Sequence, residues 1–510
     1  MITDPPRMFD LEGITDEGPE LLPLDAGEQY RFGFAMDACI GCHSCEVACA
    51  EQNATPVDLA WRHVGELEGG VFPETRRFSL SMACNHCLEP TCLSGCPTKA
   101  YVKLSNGVVK HEADECIGCQ YCIWNCPYEV PVFDPDRRIV SKCDMCLPRL
   151  DAGENPACVM ACPTHAISVE VVDVDQWRAD HREADAPGLP PSSITLSTTR
   201  ISLPADLPDD LVAASDHRVE LEDPHWPLVV LTLLTQLSLG AMASTVFLEL
   251  VGAGAVGGEG LAGGAVGAFL AGALAMSASF LHLGRPAYAF KALRNVRTSW
   301  MSREVALFGA FSVTSLVYAG AWYLDRGLPT VPLGLLAVLA GLIGVYASGR
   351  LYLVPARPVW QSRRTLVSFF ATGLSLGPLF ALTFLERSSL ERSWMLWLVA
   401  GSIGGTLAQL GVHAHLVRAV RSATDHQHRG TGYLLLNRCR GLFALRLLAA
   451  FAGLALVLSL TGTPLAGDEA SGRLVVALGV LGAGELAGRY LFFVTVVPFR
   501  VAGSFFGRRR

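Results

Sequence analysis

From Trp226 onward the chain is written in long apolar runs separated by short polar segments, at 226–251, 261–282, 304–324, 332–354, 365–385, 394–417, 441–461 and 474–498. Each run reaches the ~20 residues that a helix needs to cross a hydrocarbon core, so the pattern predicts eight transmembrane helices with both ends on one side. The second run is built largely of small residues (Gly263, Gly264, Gly267, Ala271, Gly272, Ala275), which lets neighbouring helix backbones approach closely. Ahead of Trp226 the pattern changes. Residues 31–175 mix short apolar pieces with Gly, Pro and Cys, and residues 176–225 are rich in Asp, Pro and Ser, as in a linker lying over the preceding domain with some short extended pieces.

Charge divides the sequence at the same point. Residues 1–225 hold 38 of the 48 acidic and 16 of the 40 basic residues, a net −22; the remainder has 24 basic and 10 acidic, a net +14. The acidic front half speaks against nucleic acid as a partner. Residues 1–30 read as an acidic, proline-containing extension with neither a signal peptide nor an anchor, and residues 501–510 as a basic tail. The first Arg-Arg pair, Arg76 and Arg77, lies inside the front domain, so no twin-arginine export signal is visible. Loops and helix ends facing the front domain carry twenty Arg and Lys, whereas the opposite side has only Arg326, Arg387, Arg392 and Arg473. The positive-inside rule then predicts an inner-membrane, multi-pass protein with its front domain in the cytoplasm. Arginines that dock the acidic front domain are the rival explanation.

Sixteen of the seventeen cysteines lie between Cys39 and Cys162 in four runs of four. Cys39, Cys42, Cys45 and Cys49 are spaced C-x2-C-x2-C-x3-C, and Cys116, Cys119, Cys122 and Cys126 repeat that bacterial ferredoxin spacing. Cys84, Cys87, Cys92 and Cys96 stretch the gap before the terminal C-x3-C, and Cys143, Cys146, Cys158 and Cys162 stretch it further. Three thiolates on one loop can cover three corners of a cubane, while the fourth, often followed by proline, reaches a neighbouring cluster. Pro97, Pro127 and Pro163 follow the last cysteines of three runs; Ala50 follows Cys49. Structural zinc is the main competitor for C-x2-C pairs, but a third closely spaced thiol and a Cys-Pro in three runs favour four [4Fe-4S] clusters. Disulfides suit such clustered thiols less well. Cys439, the leftover, reads as an ordinary thiol, and His43, His86 and His165 beside the ligands read as surface residues ahead of any role in tuning potentials.

The four runs, in this order, resemble the iron–sulfur subunit of the dimethyl sulfoxide reductase family of molybdoenzymes. The stretches LHLGRPAYAFKALRNVRTSWMSREV from Leu281 and YASGRLYLVPARPVW from Tyr346 resemble that family's membrane anchor, as if the two subunits were fused. The resemblance implies an α+β ferredoxin-like four-cluster domain over 31–175, followed by an all-α, eight-helix membrane domain over 226–500. It implies exchange of the last ligand between paired runs: Cys39, Cys42 and Cys45 with Cys162; Cys143, Cys146 and Cys158 with Cys49; Cys84, Cys87 and Cys92 with Cys126; Cys116, Cys119 and Cys122 with Cys96. Relatives that put tryptophan at the third position of the third run hold a three-iron cluster; Cys122 argues against that here.

The same resemblance implies a haem-free quinone or quinol site (menaquinone or ubiquinone), with His282 and Glu304 as its polar residues. Proton chemistry supports the pair independently, because quinol oxidation releases two protons and needs acid–base groups at the membrane rim near a cluster. The bland alternatives are a helix-end histidine satisfied by backbone, and an ion pair from Glu304 to Arg303 or Arg285. Arg350 and Tyr352 are further candidate quinone contacts. Glu485 and Arg489, four apart, could pair on one helix face; His413 and His415 raise a haem alternative, with His282 as the opposing ligand.

No molybdopterin domain and no dinucleotide-binding glycine fingerprint are present in the sequence, so substrate chemistry is assigned to a partner chain. The protein reads as an electron-transfer and anchor subunit, an oxidoreductase component of anaerobic respiration, linking the membrane quinone pool to a molybdopterin-containing catalytic subunit. Sulfite oxidation with quinone reduction is the leading direction; a quinol-oxidising S-oxide or N-oxide reductase, exported with its partner so that the clusters face the periplasm, is the alternative. Readings of other classes are a redox-driven ion translocator with steps at Gln236, Glu485 and Glu249, and a zinc-stabilised scaffold.

Overall fold

The computed structural model describes residues 21–56, 59–252, 258–324, 329–384, 391–462 and 468–503. The expectations for residues 1–20 and 504–510, for Arg326 and for Arg387 lie outside the described residues.

The front domain is assembled from short pieces because its cysteine loops leave no room for long ones. Strand β1 (Glu28–Ala35) is followed by helix α1 (Ser44–Gln52), β2 (His63–Gly69), β3 (Arg76–Met82), α2 (Thr91–Gly95), β4 (Tyr101–Lys103), β5 (Val109–His111) and α3 (Tyr121–Asn125). Then come β6 (Val132–Asp134), β7 (Ile139–Ser141), α4 (Leu147–Asp151), α5 (Ala157–Met160), β8 (Ile167–Asp173), α6 (Val174–Asp180), β9 (Arg200–Ser202) and β10 (Val212–Ala213). β1 is central in a sheet, antiparallel to β8 with Phe34 opposite Ile167, and parallel to β9 with Phe34 opposite Ile201. A second sheet runs β10-β2-β3, and β4–β5 and β6–β7 form hairpins. Residues 176–225 thus do more than overlie the domain: β9 and β10 are edge strands of its two sheets. Residues 501–503 also run back onto it. Gly503 accepts from the Glu66 amide at 3.2 Å, and a Cβ on Gly65 would lie 1.6 Å from the Ala502 carbonyl, so only glycine fits.

Among the described residues, eight helices are long and apolar enough to cross a membrane: α7 (Trp226–Gly252), α8 (Gly258–Phe280), α9 (Trp300–Leu324), α10 (Thr330–Leu351), α11 (Arg363–Leu382), α12 (Arg392–Ser422), α14 (Arg440–Ser459) and α15 (Asp468–Val494), with α13 (His426–Tyr433) a short helix on the front-domain side. α7 is the axis of the bundle and packs on α8, α10, α11 and α15. At the helix glycines, the tightest approach to another backbone is between α7 and α11. A Cβ on Gly240 would fall 2.0 Å from the Gly373 carbonyl, and one on Gly377 2.2 Å from the Gly240 backbone. The glycines of α8 meet mainly side chains, those of Thr245, Phe384 and Ser238. The small-residue pattern therefore marks packing in α8, but the backbone-to-backbone approach lies elsewhere.

The two halves are docked. Lys291 and Arg294 pair with Glu115, Arg500 pairs with Glu129 and Glu222, and Arg357 reaches Glu222 at 3.5 Å. Several cations counted toward the positive side are thus holding the acidic domain, which reduces their weight as a statement about sidedness.

Candidate functional site

The loop of the first run and the loop of the third have one conformation. Gly41 and Gly118 both lie near φ +67°, and the residues two further on, His43 and Gln120, are also left-handed. This winding turns successive amides inward around the thiols. The amides of His86, Gly118 and Met145 each donate to the cysteine sulfur two residues back, at 3.4–3.5 Å.

The cysteines gather across runs. Cys84, Cys87, Cys92 and Cys126 line one cavity, and Cys39, Cys42, Cys45 and Cys162 line another. Cys49 lies with Cys146 and Cys158, and the Asn53 amide reaches both Cys49 Sγ (3.7 Å) and Cys146 Sγ (4.0 Å). Cys96 lies against Cys116, Cys119 and Cys122. The thiols ring cavities rather than converging: among the described residues no three His, Cys, Asp or Glu side chains come close enough to hold a single metal ion. Burial pushes the Cys49, Cys87 and Cys126 thiols up to about 12, and a metal bound there must displace the proton to take the thiolate.

Buried cations and donors complete this environment. Lys142 is 3 % exposed; its ammonium lies 3.6 Å from Cys84 Sγ and donates to the Cys143 carbonyl at 2.7 Å. Arg62, 2 % exposed, lies among Cys45, Cys49, Cys143 and Cys158 and stacks on Phe32. His86 is fully buried, which corrects its assignment to the surface. Its Nδ1 accepts from the Val109 amide at 3.0 Å, so Nε2 carries the hydrogen, and among the described residues that N–H has no partner. His43 and His165 are exposed as expected. The sequence carries no local signal for Arg62 or Lys142, because only tertiary folding brings them among the thiols.

The third cysteine loop is held against the membrane bundle by the segment between α8 and α9. The amides of Gly284 and Arg285 donate to the carbonyls of Gly118 (3.3 Å) and Ile117 (3.0 Å); Asn295 donates to the Cys96 carbonyl (2.8 Å) and Ser299 to that of Gly95 (2.7 Å). Gly284 has no alternative, since a Cβ there would sit 2.2 Å from the Arg138 carbonyl.

Beside this contact opens a cleft of about 430 Å³ with mostly apolar walls, into which Cys119, His282 and Glu304 look together. His282 donates from Nε2 to the Cys119 carbonyl at 3.1 Å, since the carbonyl can only accept; Nδ1 is therefore its lone-pair nitrogen. Burial holds this imidazole down at about 4, and the His225 ring packs edge-on at 5.2 Å. Glu304 is 7 % exposed, and neither proposed cation claims it: Arg303 bonds the carbonyls of Val296 and Arg297, and Arg285 that of Ala113.

Two other candidates lie away from the cleft lining. Arg350 stacks on Trp300 at 4.9 Å, and Tyr352, 2 % exposed, sits in an aromatic cluster with Trp124, Trp360, Phe492 and Phe493; neither lines the cleft. Both lie at the end of α10, Tyr352 as the residue that follows its last turn. Glu485 pairs with Arg446, not Arg489, while Arg489 donates to Gln236 at 2.6 Å. His413 lines a different cavity from His282, and His415 is exposed. Glu249 accepts from Tyr318 (2.7 Å) and from Thr330.

Residues 222–494, more than half of the sequence, match the family described as DMSO reductase anchor subunit (DmsC). The protein belongs to that family. Residues 76–172 match a 4Fe-4S dicluster domain. Over 177 residues it is 35 % identical to an anaerobic dimethyl sulfoxide reductase chain of Haemophilus influenzae, covering 33 % of the present sequence and 86 % of that relative. Over 153 residues it is 35 % identical to a sulfite dehydrogenase subunit of Allochromatium vinosum, 26 % of the present sequence and 64 % of that one. Over 168 residues it is 34 % identical to a formate dehydrogenase iron-sulfur subunit of Haemophilus influenzae, 29 % of the present sequence and 54 % of that one. One polypeptide thus joins an iron–sulfur electron-transfer unit to a DmsC-type anchor, and it is an integral membrane protein.

Proposed function

We propose that this protein links the membrane quinone pool to a separate molybdopterin-containing catalytic subunit through four [4Fe-4S] clusters. Each cluster would be held by one of the four cross-run cysteine sets, and each passes one electron at a time. The observation that carries the quinone assignment is the cleft itself: it is large enough for a ring and the start of an isoprenoid tail, is apolar, and has a cluster ligand, Cys119, in its wall beside His282 and Glu304.

The protein's own residues then divide the proton work. His282 Nδ1 accepts the hydrogen of a quinol hydroxyl, and its Nε2 bond to Cys119 fixes the ring in that tautomer. The Glu304 carboxyl exchanges the second proton, so two electrons leave or arrive with two protons. The apolar wall keeps water from the head group.

The leading direction is sulfite oxidation with quinone reduction. It is supported by the cations that remain on the front-domain side after Lys291, Arg294, Arg357 and Arg500 are set aside, and by the relative named as a sulfite dehydrogenase subunit. The reverse direction is favoured by the anchor family's name and by the relative with 86 % coverage. Electron paramagnetic resonance on membranes holding the complex with its native partner separates them: sulfite making cluster signals appear while quinone is reduced supports the lead, and silence with sulfite but oxidation of the clusters by an S-oxide or N-oxide overturns it. Iron and acid-labile sulfide near ~16 per protein, about four for each of four cubanes, test the cluster count; zinc without sulfide sinks it.

A further inference from the structure

The second half of the bundle holds a cavity of about 90 Å³, separate from the cleft, between α11, α12, α14 and α15 at the front-domain end. Its lining carries three guanidiniums, Arg364, Arg446 and Arg489, against one carboxylate, Glu485. Arg446 and Arg489 are 2 % and 3 % exposed.

The carboxylate is already engaged. Its Oε1 accepts from Arg446, and its Oε2 from Thr372 (2.8 Å) and Gln409 (3.1 Å). Arg489 finds only neutral acceptors: Gln236 Oε1 at 2.6 Å, Thr372 Oγ1 at 3.2 Å and the Ser368 carbonyl at 3.4 Å. Four buried donor atoms are left over: Arg446 Nε and Nη1, Arg489 Nε and Arg364 Nη1. Uncompensated guanidiniums in an apolar bundle are strongly unfavourable, and polar groups so deeply buried are almost always satisfied. Every unfilled position is an N–H and the local charge is positive, so the missing component is an oxyanion. Guanidinium forks match the geometry of phosphate oxygens, and basic pockets between transmembrane helices bind anionic head groups. A quinone head, neutral and with only two carbonyl oxygens, would leave the charge uncompensated. The flank formed by Val412, Leu416 and Phe443 of α12 and α14 is apolar, as an acyl chain requires.

We propose that this cavity binds a phosphate oxyanion, namely the phosphodiester of an anionic phospholipid, which braces α11, α12, α14 and α15. The assignment is independent of the quinone cleft.

The test uses the full complex, delipidated in mild detergent, and follows thermal unfolding with three additions: phosphatidylglycerol, phosphatidylcholine and inorganic phosphate. Phosphatidylglycerol is expected to raise Tm and phosphatidylcholine not to. Arg364→Gln, at the rim of the cavity, is expected to weaken the phosphatidylglycerol effect roughly ten- to hundredfold in concentration, as loss of a charged hydrogen bond does. Arg489→Gln should do the same, and Arg364→Gln keeps the test open if Arg489→Gln fails to fold. An equal Tm rise with inorganic phosphate, lost in Arg364→Gln, keeps the oxyanion site and assigns it to the free ion. Equal responses to the two lipids, or an Arg364→Gln protein that responds as wild type, overturn the proposal. So does a second bound quinone analogue per protein that disappears in Arg364→Gln.

Discussion

Lys142 is bonded to the backbone carbonyls of Val109 and Cys143, with Cys84 Sγ at 3.6 Å, so its charge is fixed among thiols that belong to different cluster sets. A fixed cation favours the more negative, reduced form of a cluster. Lys142→Met should therefore lower the potential of the nearest cluster by on the order of 100 mV, taking an effective dielectric of ~20 over ~7 Å. A redox titration followed by electron paramagnetic resonance reads this, and an unchanged potential removes Lys142 from the tuning set. At this scale the cysteines were legible because a cubane demands fixed thiol spacing. Lys142, Arg62 and His86 were not, since nothing near them in sequence distinguishes a buried cation or imidazole from an exposed one. Glu304 was legible only through its motif, and its freedom from Arg303 and Arg285 became visible in three dimensions.

Among elements, the segment from His282 to Ser299 holds the third cysteine loop against the anchor, and Gly284 is its tightest point. Gly284→Ala should push this segment off the third cysteine loop at a cost of roughly 1–3 kcal/mol. The expected outcome is quinone turnover reduced more than about tenfold with iron content unchanged; turnover at the wild-type rate would show that the contact is dispensable. Gly240→Ala tests the α7–α11 crossing in the same way, and a lowered Tm in detergent with intact clusters is expected, because the added methyl meets the Gly373 backbone. The eight helices could be read from hydropathy alone, since length and apolarity are sufficient conditions for spanning. Which face each helix end presents could not. Arg350 and Tyr352 follow a family-like motif, yet the end of α10 sends them to Trp300 and to the aromatic cluster around Trp360. Likewise the glycines of α8 advertised close packing, while among the membrane-helix glycines the tightest approach to another backbone belongs to α7 and α11.

For the whole molecule, the charge asymmetry seen in sequence has two uses in the structure. Part of it seats the acidic domain on the bundle through Glu115, Glu129 and Glu222, and part surrounds the cavity at Glu485. The arrangement sets one cysteine set, Cys96 with Cys116, Cys119 and Cys122, against the cleft, and the other three farther into the front domain. On the proposed quinone assignment, electrons exchanged at the cleft would enter or leave through the cluster of the Cys119 loop. The most direct test reduces the clusters in anaerobic membranes with dithionite, mixes in excess quinone, and freezes samples over time for electron paramagnetic resonance. The account predicts rapid loss of the cluster signals in wild type and a loss slowed at least ~100-fold in His282→Leu, the scale of a missing acid–base group, with dithionite reduction unchanged. Equal reoxidation by quinone in His282→Leu and wild type would contradict it and move the quinone site elsewhere on the protein.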